Sequence, residues 1–122
     1  MFIEQDMTVD DLMLKIGNGV KYFHGIDFGE GVAKGQKFDN IVFEECFLCM
    51  DFSNSSFINT KFLCCNIKTC IFKDADLSNA TIESCSVESI NLTGAKLDGI
   101  VFKNNGCYGY TVNQEDLCHF VD

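Results

Sequence analysis

The sequence predicts an all-β solenoid, a chain wound into stacked coils around an apolar interior, and three columns of residues carry that prediction. Stepping by five from Phe52 gives Phe52, Phe57, Phe62, Ile67, Phe72, Leu77, Ile82, Val87, Leu92, Leu97 and Phe102, eleven positions with no polar residue. At an apolar content of 47 %, such a run arises by chance roughly once in a few thousand trials, or about once in a thousand over five registers. Two residues before each stand Met50, Ser55, Thr60, Cys65, Cys70, Ala75, Ala80, Cys85, Ile90, Ala95 and Ile100, all uncharged and mostly small. Two residues after each stand Asn54, Asn59, Cys64, Thr69, Asp74, Asn79, Ser84, Ser89, Gly94, Gly99 and Asn104. Nine of these eleven are Asn, Asp, Ser or Gly, residues that tolerate turn geometry or hydrogen-bond the backbone there.

The inward positions therefore alternate at spacings of two and three. An α-helix cannot keep such a pattern on one face, because five residues advance it by about 500° and leave each apolar residue about 140° from the last. A spacing of two belongs to extended backbone, so the spacing of three contains a corner. The register runs back through Leu48, Phe43, Phe38, Ala33 and Phe28. Between Leu48 and Phe52 the step is four, which predicts a distorted corner near Cys49.

These columns resemble those of the pentapeptide-repeat family, whose loose consensus A(D/N)LXX is best matched by Ala75-Asp76-Leu77-Ser78-Asn79 and Ala95-Lys96-Leu97-Asp98-Gly99. The resemblance implies a right-handed quadrilateral β-helix with four pentads per square coil. The organisation expected is an N-terminal helical cap and lead-in over 1–25, a β-helix over 26–104 and a C-terminal cap with a short helix over 105–122. At about twenty residues per coil the β-helix has roughly four coils and is about 19 Å long.

A solenoid leaves its core and strand edges open at both ends unless something covers them. Thr8-Val9-Asp10-Asp11 has the form of a capping box, and Val9, Leu12, Met13 and Ile16 form an apolar helical stripe that Gly17 or Gly19 terminates. The segment also resembles the helix that often precedes the repeats in this family. At the other end Thr111 is expected to cap a short helix carrying Val112, Leu117, Phe120 and Val121, with Glu115 and Asp116 near its start. In family members that protect topoisomerases, C-terminal apolar residues make a twofold dimer. Tyr108, Tyr110, Leu117 and Phe120 either do the same here, giving a homodimer, or plug the last coil of a monomer.

Stacking places Cys46, Cys65 and Cys85 above one another in one interior column. The chain has eight cysteines, of which Cys46 and Cys49 form one C-x-x-C pair, but a zinc site needs four convergent ligands and no histidine joins this column. Cysteine is read as a small hydrophobe at a position usually held by Ala, and no metal or cofactor is expected. No run of eighteen residues is apolar, and Met1-Phe2-Ile3-Glu4-Gln5-Asp6 lacks the basic start and long apolar stretch of a secretory signal, so the expectation is a soluble cytoplasmic protein away from the membrane.

Catalysis needs groups that converge in a pocket, and stacked pentads fill their interior with side chains. His24 and His119 lie near opposite ends, and no phosphate-binding loop or nucleophile elbow is present. No catalytic residues and no enzymatic activity are expected. The net charge of −9, together with the lack of any arginine, disfavours direct contact with nucleic acid and permits a basic protein partner. Lysine without arginine fits an A+T-rich bacterial genome.

Two classes of partner follow from the resemblance. Family members that protect DNA gyrase present an acidic rod to the DNA-binding saddle of type II topoisomerases. Between Ile26 and Asn104, however, eleven acidic residues face seven lysines, leaving −4 of the total, and a duplex mimic needs denser charge along its length. The reading favoured here is a compact binder like the pentapeptide-repeat immunity proteins encoded beside bacterial toxins. Its candidate partner-binding residues are Ile58 and Leu63 around one corner, Glu44 and Glu45 stacked near Leu63 and Cys64, Glu83 on the next coil, and Glu88: an apolar centre rimmed by carboxylates. A passive scaffold module is the third reading.

Overall fold

The computed structural model describes residues 2–121. Strands β1 (Gln5–Asp6), β2 (Tyr22–His24), β3 (Ile26–Val32), β4 (Val42–Glu44), β5 (Phe47–Asp51), β6 (Lys61–Leu63), β7 (Thr81–Glu83), β8 (Val101–Lys103), β9 (Asn105–Cys107) and β10 (Tyr110–Val112) are joined by helix α1 (Val9–Gly17) and a 3₁₀ helix over Gln114–Phe120. All pairings are parallel except the hairpin of β9 with β10. Each parallel step returns the chain to the same side one coil later.

Four stacks of bridged residues define a four-sided coil. On the first side Tyr22, Val42, Lys61, Thr81 and Val101 lie in register, in the five-stranded sheet β2-β4-β6-β7-β8. The second side stacks Asp27, Phe47, Asn66, Ser86 and Gly106. The third stacks Val32, Asp51, Ile71 and Asn91, and the fourth Lys37, Ser56, Asp76 and Lys96. Complete coils therefore run over 22–41, 42–60, 61–80 and 81–100, and a further one begins at Val101. The molecule is a β-solenoid of about five turns rather than the roughly four expected, because the register continues one more step back, to the buried Phe23.

The corners are set by the backbone of the third column. All eleven turn residues from Asn54 to Asn104 have φ between 54° and 70°, the left-handed region that Gly, Asn and Asp enter most easily. At Gly94 the restriction is also steric: a Cβ there would sit 2.1 Å from Oδ1 of Asp74, the corner residue one coil below. The coil with the missing residue has no left-handed corner between Glu45 and Asn54. β5 runs straight through Phe47–Asp51 instead, and β3 shifts register between Asp27 and Glu30 to match it. This is the distorted corner expected near Cys49.

The central column is the core. Phe52, Phe57, Phe62, Ile67, Phe72, Leu77, Ile82, Val87, Leu92 and Phe102 are fully buried; only Leu97, on the last complete coil, is half-exposed. Phenylalanines stack from coil to coil, with centroids 4.9 Å apart for Phe38 and Phe57 and 5.2 Å for Phe43 and Phe62. Such pairs contribute about 0.5–1.5 kcal/mol each beyond their burial.

The second column does more than save space. Ser55 Oγ donates to Ala33 O at 2.7 Å, Thr60 Oγ1 donates to Phe38 O, and the thiols of Cys46, Cys65, Cys70 and Cys85 donate to Phe23, Phe43, Leu48 and Phe62 carbonyls at 3.2–3.4 Å. Small side chains with one hydrogen to give thus tie each coil to the coil before it. Asn105, completely buried, extends the cysteine column: its Nδ2 donates to Ile82 O at 3.0 Å and its Oδ1 accepts from Cys85 N at 2.8 Å.

Both ends are covered. Thr8 and Asp11 form the expected capping box, and α1 ends at Gly17 with Asn18 as its C-cap and Gly19 at φ 89°. Leu12 is buried, and Val9, Met13 and Ile16 pack on the core. The C-terminal cap differs from the expectation. Thr111 lies in β10 instead of capping a helix, because Tyr108 and Gly109, both at positive φ, make a two-residue hairpin loop. The helix is 3₁₀ and starts after Asn113, whose N–H donates to Asp116 Oδ2 at 2.8 Å.

Candidate functional site

The five-stranded side is the broadest sheet among the described residues, and its register fixes which side chains share it. In each three-residue strand the middle residue points inward, so the first and third form two outward rows. One row is Tyr22, Val42, Lys61, Thr81 and Val101. The other is His24, Glu44, Leu63, Glu83 and Lys103. Leu63 therefore sits between two carboxylate-bearing residues, beside a row in which Lys61 is flanked by Tyr22 and Val42 on one side and Thr81 and Val101 on the other, Tyr22 and Val101 being exposed.

Polar contacts hold the rim. Tyr22 OH donates to Glu44 Oε1 at 2.6 Å. That bond to a carboxylate raises the Tyr22 pKa to about 12, with smaller contributions from burial and from the charges of Glu44 and Glu45. Lys103 Nζ lies 3.8 Å from Glu83 Oε1. Glu45 occupies the adjacent corner at φ 52°, donates its N–H to Leu63 O at 3.0 Å and reaches His24 Nε2 at 3.2 Å.

Of the six candidate residues, the structure brings together Glu44, Glu45, Leu63 and Glu83. Ile58 does not join them: it lies on the fourth side, half-buried, with its N–H donated to Asp39 Oδ1 at 2.9 Å, and Lys61 comes between it and Leu63. Glu88 is on the second side, where it accepts the Tyr108 N–H at 3.1 Å and lies 3.7 Å from Lys68 Nζ. Its carboxylate holds the hairpin turn. The C-terminal residues divide likewise. Phe120 packs on Phe102 with centroids 5.7 Å apart, Leu117 is half-buried, and Tyr108 and Tyr110 are 70 % and 77 % exposed.

Residues that sequence reasoning missed seal the last rung of the same sheet. Gln114 Oε1 accepts the Phe102 N–H at 2.9 Å and its Nε2 donates to Ile100 O at 2.8 Å, while Asn113 Oδ1 accepts the Asn104 N–H at 2.8 Å. These amides satisfy main-chain groups that would otherwise be an open strand edge. The adjacent pair Asn113-Gln114 was the signal available.

Three of the buried thiols are held above the ordinary thiol range. Cys46 is pushed well above the ordinary thiol range by hydrogen bonding with Cys65 and by burial. Cys65 is also raised: hydrogen bonding with Cys46 lowers it, but Cys85 and burial outweigh that. Burial takes Cys70 to about 12. Among the described residues no group of three or more His, Cys, Asp or Glu has metal-binding geometry, and all eight cysteines are free thiols.

Comparison with known proteins converges on one family. Residues 51–88 match the family model of pentapeptide repeats, in eight copies. Among solved structures, alr5209, a pentapeptide repeat protein from Nostoc Pcc 7120, is similar at 18 % identity and a TM-score of 0.50, covering 94 % of this chain and 94 % of that one. HetL, a pentapeptide repeat protein involved in heterocyst differentiation regulation from Nostoc sp. strain PCC 7120, aligns at 16 % identity and a TM-score of 0.43, covering 75 % of this chain and 49 % of its own. No curated protein matches the sequence significantly. Residues 51–88 are pentapeptide repeats, and the same columns continue on both sides of them in a four-sided coil of the pentapeptide-repeat fold.

Proposed function

We propose that this chain is a non-catalytic binding protein of the bacterial cytoplasm whose five-stranded side covers a site on a protein toxin, as an immunity protein does. One observation carries the reading: Leu63 flanked in register by Glu44 and Glu83, next to the Tyr22–Val42 and Thr81–Val101 positions. An apolar centre with a carboxylate rim suits a partner surface that is apolar with basic surroundings. A sheet built from stacked coils presents it with little conformational cost on binding. The acidic side chains form no unbroken stripe, since Leu63 interrupts the row and Lys61 and Lys103 share the face. That arrangement suits a local protein contact better than imitation of a duplex.

The experiment compares tagged wild type with Leu63→Lys and, as a control on the third side, Ile71→Lys. Each is used to retain partners from the source cell, which are identified by mass spectrometry and then tested as purified proteins for binding and for loss of toxicity. The reading expects a toxic effector that is bound and neutralised by wild type and Ile71→Lys and released by Leu63→Lys. Subunits of gyrase or topoisomerase IV in its place point to DNA mimicry. Equal retention by Leu63→Lys removes the face from consideration.

A further inference from the structure

At the N-terminal rim of the sheet, one imidazole faces two carboxylates. His24 Nδ1 lies 3.6 Å from Glu4 Oε1, and its Nε2 lies 3.2 Å from Glu45 Oε2. Glu4 belongs to the N-terminal segment and Glu45 to the next coil, so the ring spans two parts of the chain. A neutral imidazole has one N–H and one lone pair, and in either tautomer its lone pair would face a carboxylate oxygen. Only the imidazolium presents an N–H and a positive charge to both.

The other charges nearby leave this arrangement uncompensated. Glu44, the register partner of His24, has its carboxylate engaged by Tyr22 OH, and the Tyr22 ring stacks on the imidazole with centroids 6.3 Å apart. Among the described residues no lysine pairs with Glu4, Glu44 or Glu45.

The rest of the segment is held by main-chain bonds. β1 is only Gln5–Asp6, supported by the Glu4 and Gln5 N–H groups donating to Gly25 O at 2.6 and 3.3 Å and by Met7 N–H donating to Asp27 O at 2.9 Å. Glu4 lies directly on Gly25, where a Cβ would come within 3.0 Å of Glu4 Cγ. Of the two carboxylates Glu4 is the more weakly held, being farther from the ring and 54 % exposed against 36 % for Glu45.

We propose that His24 is a proton-controlled latch on the N-terminal segment: protonated, it ties Glu4 to the coil through Glu45; neutral, it releases Glu4. The sign follows from the charge. The cationic ring attracts both carboxylates and holds the segment, and loss of its proton at higher pH removes that attraction. An exposed ion pair shifts such an opening equilibrium by about two- to fivefold.

The test is amide hydrogen exchange of the full chain by NMR from about pH 5.5 to 8.5, corrected for intrinsic base catalysis. Glu4 and Gln5 are followed, with Phe62 and Ile82 reporting the intact coil. Wild type should lose about two- to fivefold protection at Glu4 as pH rises, while His24→Gln and Glu4→Gln show no step and Phe62 and Ile82 stay protected throughout. A flat profile in wild type, or the same step in His24→Gln, would overturn the latch.

Discussion

The thiol of Cys85 donates to the main-chain carbonyl of Phe62, one coil below, at 3.2 Å. The hydroxyls of Ser55 and Thr60 make the equivalent bond in their own coils, so at these positions of the second column the small side chain also serves as a donor. Cys85→Ala should then cost about 1 kcal/mol, the usual worth of a buried hydrogen bond, while Cys85→Ser stays within about 0.5 kcal/mol of wild type. Urea unfolding midpoints decide it. If Ser proved clearly worse than Ala, the column would be a purely apolar one.

Thr69 holds φ at 63°, the one β-branched residue among the left-handed corners. A β-branched side chain is strained there, whereas Asn enters the region readily. Thr69→Asn is expected to raise stability by about 0.5–1 kcal/mol, seen as a higher denaturation midpoint at unchanged slope. No gain would mean that the hydroxyl contacts to Cys49 Sγ at 3.1 Å and Lys68 O at 2.6 Å offset the strain.

Gln114 closes the final rung with both ends of its amide. Gln114→Ala leaves the Phe102 N–H and the Ile100 carbonyl without these partners and should cost about 1–2 kcal/mol. Hydrogen exchange at Phe102 should accelerate while that at Phe62 is unaffected, since the loss is confined to the end of the stack.

These residues also mark where sequence pattern stops being informative. The three columns, the distorted corner near Cys49 and the capping box at Thr8 were all readable, because a five-residue period and a cap motif are local and repetitive. Asn105 was not, since a polar residue breaks an apolar pattern even when both ends of its amide are bonded; its place twenty residues after Cys85 was the clue. The C-terminal cap failed for a related reason. Thr111 looked like a helix start, but the Tyr108-Gly109 loop turned it into a strand first. The candidate patch was half readable: stacking put Glu44, Leu63 and Glu83 in one row, whereas the separation of Ile58 and Glu88 depends on where each corner falls.

Stability should decline in acid through the outward aspartates. Asp76 is held below the ordinary carboxylate range by Ser78, whose side chain lies beside it without a hydrogen bond and whose N–H donates to Asp76 Oδ1 at 3.0 Å; the Ser53 side chain lowers Asp51 by donating to its Oδ1. A depressed carboxyl stabilises the fold above its unfolded pKa and stops doing so as pH falls through its folded one. The urea midpoint of wild type should therefore drop below the ordinary carboxylate range, and Asp76→Asn, which keeps a side-chain acceptor without the charge, should drop less. Parallel curves for the two proteins would assign the acid sensitivity to other groups.

The coil itself is tested most directly by two neighbours in sequence. Cys64 stands at a corner, exposed, with φ 54°, and Cys65 points into the core and is 2 % exposed. Native protein treated with a maleimide and digested for mass spectrometry should carry the label at Cys64 and Cys118, with Cys46, Cys65, Cys70 and Cys85 labelled only after unfolding. Labelling of Cys65 as fast as Cys64 would contradict the five-residue register on which the fold and the binding face both depend.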